Sequence, residues 1–368
     1  MFNPSSRVAQ VFLLFVLALT STVAVAQHFT RTNLTANRSG VTATDPPNID
    51  PNLVNAWGLS RSSGSFWWVA DNGTGLSTLY DGTGAPQQLV VTIPAPAGSS
   101  EPSTPTGTVY NFLPGLFAVA PGKPAVFLFV TEDGTISGWN PTVNLTSAVI
   151  KVNRAGKANY KGVAIAKIQG GARLYATNFM TGKIDVFSPY FNPITVSAGA
   201  FQDSQIPAGY SPFNIQNVGG NLVVTFAKKP ETGEDEEHGP GLGYVSVFDT
   251  AGNLLLRLQH GNFLDAPWGV ALAPNDFGPF AHQLLIGNFG DGHIHAFNAL
   301  TGAFTGTLLN DSGTPITIDG LWALGFGNNA NAGSTTELFF TAGPNDESDG
   351  LFGKLTPSGA EGRGNTQQ

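Results

Sequence analysis

The stretch GNFGDGHIHAFNALTG, Gly287 to Gly302, poses a choice. Asp291, His293 and His295 are metal-ligand residue types close together in the chain. The same letters also read as a tight turn followed by a strand that carries two histidines. Self-comparison of the chain favours the second reading, because a missed repeat mis-assigns the fold. Aligned on Gly292, the segment GHIHAFN matches GKIDVFS from Gly182 and GYVSVFD from Gly243. Further copies are GLSTLYD from Gly75, GTISGWN from Gly134 and GLFGKLT from Gly350.

Two more apolar runs precede each glycine. The nearer is FWWVADN, VFLFVTE, RLYATNF, LVVTFAK, QLLIGNF or LFFTAGP; the farther is AWGLS, TVYNF, GVAIA, FNIQNV, WGVALA or LWALGF. These runs are short, rich in β-branched and aromatic residues, and bounded by Gly, Pro or Asn, which are strand signals. A fourth run follows in several copies, as in QQLVVTI, SAVIKV, NLLLRL and AFTGTLL. Four strands repeated every roughly 40–60 residues predict the blades of a β-propeller, with six copies making six blades. In this frame GDG is the turn between the second and third strands of blade five. Gly292 is glycine because that turn needs a positive φ. His293 and His295 alternate on a strand, so they share a partly exposed face. Two such ligands without a third rarely hold zinc, so no metal is expected there.

The sixth copy ends at LFGKLTP and lacks a fourth strand. HFTRTNLTA, His28 to Ala36, supplies one, and the ring is expected to close by its pairing with blade six. The expected organisation is a single all-β, six-bladed propeller over residues 27–357 and a flexible tail over 358–368. Residues 1–26 read as a signal peptide: Arg7 precedes the apolar VFLLFVLAL, and Ala24-Val25-Ala26 offers a small–x–small cleavage pattern. The expectation is an exported protein, periplasmic or extracellular. No later segment is long and apolar enough to span a bilayer.

Composition agrees with this reading. The chain has 368 residues, 46 Gly and 25 Pro but only 11% charged residues, a pattern of many short strands joined by turns. It has no Cys, which removes thiol catalysis and thiolate metal sites, and its net charge is −8. An acidic surface repels phosphate backbones, so nucleic acid is not an expected partner. No G-x-S-x-G elbow, Walker loop or H-E-x-x-H motif is present.

PWGVALAPND…QLLIGNFGDGHIHAFNALTG resembles an NHL-type repeat, and AWGLS…WWVADN…LSTLYDGTG matches it as well. The resemblance covers about residues 50–357, and blades two, four and six depart most from the pattern. The whole chain is similar to an uncharacterised family of exported bacterial NHL-like proteins, through NLVNAWGLS and APWGVALAP. That resemblance implies a six-bladed propeller and no established reaction. Six-bladed lactonases and gluconolactonases, also similar in architecture, hold Ca²⁺ or another divalent ion on the channel axis with Glu, Asn, Asn and Asp. Here Asn55, Asn214 and Asp319 stand at comparable places, but blade one lacks the Glu. If an axial cofactor exists it is a divalent cation such as Ca²⁺, and no other cofactor is indicated.

Three other residue sets are candidates. Asp71, Glu132, Asn178 and Asn288 recur at the end of the second strand, either satisfying the turn that follows or forming a ligand-binding ring. Trp57, Trp268 and Trp322 recur near the start of the innermost strand, where they pack between blades or offer flat faces at the channel mouth to a ligand. KKPETGEDEEHGPG, Lys228 to Gly241, is an acidic extension in blade four that reads as a solvated loop. The expected function is an exported scaffold binding a protein or carbohydrate ligand through one face. The alternative is a metal-dependent, lactonase-like hydrolase or lyase acting in the channel. The sequence leaves open whether the protein is an enzyme.

Overall fold

A computed structural model describes residues 28–231 and 235–358. The leader assigned to residues 1–26 and the tail from residue 359 lie outside the described residues; Ser358 is described and donates its N–H to the carbonyl of His28 at 2.9 Å. Among the described residues, strands account for nearly all regular structure, and the single helical turn is a short 3₁₀ segment, Gly278–Phe280. No described helix is long and apolar enough to cross a membrane.

Six antiparallel sheets form the six blades. The innermost strands are Ala56–Ser60, Pro105–Tyr110, Tyr160–Ile168, Tyr210–Val218, Pro267–Leu272 and Leu321–Phe326. Blades one to five are four-stranded, with each strand hydrogen-bonded to the next strand of its blade; in blade two a separate two-stranded hairpin, Ala118–Ala120 with Lys123–Pro124, intervenes between the first and second. Blade six takes its fourth strand from Phe29–Ala36, which pairs antiparallel with Leu351–Pro357 from Phe29↔Pro357 to Ala36↔Leu351. Asn48–Ile49 adds a short parallel fifth strand. The closure forecast from HFTRTNLTA is therefore present. It is fastened by Asp349, buried beside the joint, whose carboxylate accepts two bonds from Arg38 at 2.7 and 2.6 Å and one from Asn37 at 3.0 Å.

Packing between blades supplies the core. Six apolar clusters each join adjacent blades, and a seventh lies on the axis. Trp67 and Trp68 show how alternation builds this arrangement. Neighbours on a strand point to opposite faces. Trp67 packs on Phe339 of blade six, whereas Trp68 stacks on Phe127 of blade two, 4.4 Å between ring centroids. Near the axis the inner strands approach too closely for side chains. A Cβ on Gly107 would lie 2.8 Å from the backbone N of Val163 in the next blade, and one on Gly269 would lie 2.7 Å from the Trp322 carbonyl.

The repeat glycines serve two purposes. Gly75, Gly134, Gly182 and Gly292 have positive φ, near 70–80°, as the turn reading requires. Gly243 and Gly350 do not adopt it; there a Cβ would collide with Pro267 or with the Leu53 carbonyl, so close approach selects glycine.

Removing residues 27–40 should abolish a single cooperative thermal transition, because blade six would lose its outer strand and expose an edge. The check is a calorimetric melt of the truncated chain beside the intact one; identical transitions would show that closure contributes nothing.

Candidate functional site

The inner strands carry a register that places one side chain per blade on the axis. Ala56, Pro105, Tyr160, Pro212, Pro267 and Leu321 pair with Asp71, Thr131, Asn178, Phe226, Asn288 and Ala342. The next residues, Trp57, Thr106, Lys161, Phe213, Trp268 and Trp322, form the axial layer. Trp57 and Trp322 stack with centroids 3.4 Å apart, and Trp268 meets both edge-on at 5.8 and 5.9 Å. Phe179, Phe213 and Phe289 complete the cluster. Trp57, Trp268 and Trp322 are all buried. They pack blade against blade and plug the channel; Trp57 and Trp322 cover each other, with Phe289 stacked on Trp322 and the Lys161 ammonium over Trp57.

Lys161 is the one charged residue in this layer. Its side chain is fully buried, its ammonium lies 5.1 Å above the Trp57 ring centroid, and it pairs with Glu132. Asp235 is 3.4 Å away, and Glu236 and Glu347 act on the same ammonium. Asn72 donates to the second Glu132 oxygen at 2.8 Å. Asn55 donates to Asn72 at 3.2 Å and to Glu347 at 2.5 Å, and accepts the Trp322 indole N–H at 3.1 Å. One cation thus faces four carboxylates at the mouth where the inner strands begin.

The electrostatics follow from this imbalance. Burial alone would lower the Lys161 pKa, but Glu132 and Glu236 outweigh it and hold the ammonium above its ordinary value. Burial pushes Glu236 up to about 7, with Lys161 offsetting only part of the cost. Glu347 is raised for the same first reason, and the Glu132 charge adds to it.

The acidic extension of blade four therefore does more than hydrate. It brings Asp235 and Glu236 over the axial lysine, and its far end is tied down where Gly239 donates to Asp265 at 2.6 Å. The solvated-loop expectation holds for Asp235, which is exposed, but not for part-buried Glu236.

The four residues expected at second-strand ends divide. Asp71, Asn178 and Asn288 occupy that place and are fully buried. Asn178 Oδ1 accepts the backbone N–H of Thr181 at 3.4 Å, and Asn288 Nδ2 donates to the Phe263 carbonyl at 2.8 Å. Asp71 has no hydrogen-bond partner within normal geometry for either carboxylate oxygen, and burial raises its pKa well above the carboxylate range. Glu132 is not of this set. The second strand of blade two ends at Thr131, so Glu132 stands in register with Asn72, and a one-residue offset turns a side chain to the other face. That offset aims it at the axis.

Asn55, Asn214 and Asp319 have separate duties. Asn55 belongs to the acidic mouth. Asn214 is spent on the next blade, donating to the Trp268 carbonyl at 2.7 Å and accepting from Ile215 N–H at 2.8 Å. Asp319 is exposed and accepts the Asn345 N–H at 2.9 Å. The sequence reading missed Lys161, Asn72 and Glu347, and it had Glu236 only as part of a solvated loop. Lys161 alone had a signal: in NYKGVA it holds the position that NAWGLS and PWGVA fill with tryptophan.

Beyond the plug, the opposite mouth opens into a cavity of about 500 Å³. Its lining includes Arg61, Tyr110, Phe112, Lys167, Gln216 and Asn217. Arg61 is committed to structure there, donating to the Phe326 and Gly327 carbonyls at 2.6 and 2.7 Å.

Six radial sheets around a plugged axis define a six-bladed β-propeller. The chain belongs to the family of an uncharacterised protein of Acanthamoeba polyphaga mimivirus, 33% identical over 331 residues that cover 88% of this chain and 78% of the viral one. No protein-family model matches the chain. Among solved structures it is similar to a streptogramin B lyase, with TM-score 0.50, 12% identity and coverage of 90% and 98% of the two chains. It is also similar to the soluble aldose sugar dehydrogenase of Escherichia coli, with TM-score 0.52, 13% identity and coverage of 89% and 99%. Identities this low speak for the fold alone. The relatives are viral, so what holds of the expected resemblance is its coarser form: a propeller family without an established activity.

The Glu236 carboxyl yields a pH test. Its folded pKa lies above the unfolded one, so its contribution to stability is full below about pH 4.3 and is lost as pH rises through about 7. Melting temperatures measured from pH 4.5 to 8 should fall less steeply for Glu236→Gln than for the parent; parallel profiles would refute the assignment.

Proposed function

We propose that the protein is a ligand-binding propeller that takes a carbohydrate or a basic protein segment at the acidic axial mouth. The observation that carries this reading is the excess of acceptors: four carboxylates gather around one buried ammonium, two of them held in place by the asparagine amides of Asn55 and Asn72. Such a set suits a ligand rich in donors, either hydroxyl groups or cationic side chains. The plug beneath gives the site a rigid floor. The loop carrying Asp235 and Glu236 supplies a wall from a different blade.

Export of the chain belongs to this proposal. It rests on the signal-peptide pattern of residues 1–26 and is checked by cell fractionation.

A metal-dependent hydrolase or lyase on the axis is the second reading, favoured by one feature. Glu236, poised near neutral pH beside Lys161, is suited to proton transfer. Both readings meet in one set of titrations. Calorimetry with a panel of neutral oligosaccharides and a lysine-rich peptide should detect saturable binding by the parent protein. Glu347→Gln should weaken it by about tenfold, as expected for loss of one charge-assisted hydrogen bond worth about 1.5 kcal/mol. Absence of binding across both ligand classes would overturn the binding reading. A rise of several degrees in melting temperature with Ca²⁺, abolished by Glu347→Gln, would favour the metal enzyme instead.

A further inference from the structure

The turn at Asp291–Gly292 is built differently from the expected pair of histidines on a partly exposed face. His295 is only 3% exposed. The outer strand Phe304–Thr307 covers it, His295 being the cross-strand partner of Thr307, and Phe263 and Phe304 flank the ring at 5.9 Å. Asp291, in the turn itself, supplies the third group that the strand alone lacks. One ligand atom each from Asp291, His293 and His295 lies within 4.8 Å of the other two, and they are the one such group among the described residues.

Each of the three is already oriented by a second partner. Asp291 Oδ1 accepts from Asn288 Nδ2 and from the His293 N–H, both at 3.0 Å. That leaves Oδ2, which lies 3.2 Å from His293 Nδ1. His293 Nε2 is engaged by the Thr317 hydroxyl at 3.2 Å. His295 Nδ1 is engaged by the Thr307 hydroxyl at 2.9 Å, while its Nε2 is buried with no hydrogen-bond partner. Asn288 Oδ1, at the end of the strand that leads into the turn, is a second buried polar atom without a partner. Buried polar groups are rarely left unsatisfied, so the unpartnered His295 Nε2, on the strand that leaves the turn, marks a place for something further to bind.

We propose that this turn binds a first-row divalent transition ion of the Zn²⁺ type through Asp291 Oδ2, His293 Nδ1 and His295 Nε2. Two imidazoles and a carboxylate suit such an ion, whereas Ca²⁺ and Mg²⁺ prefer all-oxygen sets. Metal-binding histidines commonly have the other ring nitrogen held by an outer partner, as Thr317 and Thr307 hold it here. With bonds of about 2.0–2.2 Å the ligand atoms would draw together by roughly 1 Å. The turn at Asp291 and the half-exposed His293 can supply that movement. Three protein ligands leave a fourth position for water, which reaches the site through the exposed sides of Asp291 and His293. The site lies in blade five and shares no ligand with the axial mouth, so it stands or falls independently of the ligand proposed there.

The test uses the whole chain, freed of metal by chelator dialysis and titrated with Co²⁺ as a coloured probe and then with Zn²⁺ in competition. The expected result is one ion per chain, a visible ligand-field absorption band displaced by Zn²⁺, and a higher melting temperature in Zn²⁺ but not in Mg²⁺. His293→Ala, at a half-exposed position that leaves the core intact, should lose the band. Thr307→Val should retain it with affinity weakened by about 10–100-fold. His260→Ala, a histidine outside the turn, should behave as the parent. No saturable binding by the parent, or binding unchanged in both His293→Ala and Asp291→Asn, would overturn the proposal.

Discussion

A toroid of sheets holds together only if its first and last blades share a sheet, and here a strand from the start of the chain provides that sharing. Residues Phe29–Ala36 hydrogen-bond to Leu351–Pro357 across almost the whole length of the chain. The pairing removes two sheet edges at once and fixes the circumference of the ring. That circumference leaves room for glycine and little else where inner strands meet, as at Gly107 and Gly269. It also determines which side chains reach the axis.

The axis is divided by what the ring brings there. Tryptophan and phenylalanine from several blades seal the middle, so the channel becomes two separate mouths. At one, carboxylates and amides surround a single ammonium that lies over the Trp57 and Phe179 rings. At the other lies an open cavity whose arginine is committed to backbone carbonyls. Burying the Lys161 charge is tolerable only because Glu132 neutralises it directly. The remaining acids are then a surplus, which gives the first mouth its chemical character.

The architecture was readable because periodicity survives sequence drift. Each blade repeats the same alternation of turn and strand, and a missing last strand with a spare first one can be counted. The site was less readable, for three physical reasons. Glu132 looked like Asp71 because the turn that leads to Gly134 is one residue shorter than the turn that leads to Gly75, a shift that the strand pairing reveals and that reverses the direction of the side chain. Glu236 and Glu347 come from loops whose path depends on tertiary contacts that no local pattern encodes. Trp57, Trp268 and Trp322 were found at the right place, but only the assembled ring shows that they pack against one another. His295 was misjudged as partly exposed because its cover, Phe304 and Thr307, comes from an outer strand whose register the repeat does not specify.

The chain contains no cysteine, so a designed cross-link reports on closure without background. Thr30 and Thr356 are directly opposed across the joint. Facing residues in an antiparallel pair have Cα atoms about 4.5–5.5 Å apart, within the span of a disulfide. In the Thr30→Cys, Thr356→Cys variant, mild oxidation of the folded protein should give a complete intramolecular bond, seen as a mobility shift, and a higher melting temperature. Two thiols that stay free in the folded protein, or that link only between molecules, would contradict the closed ring.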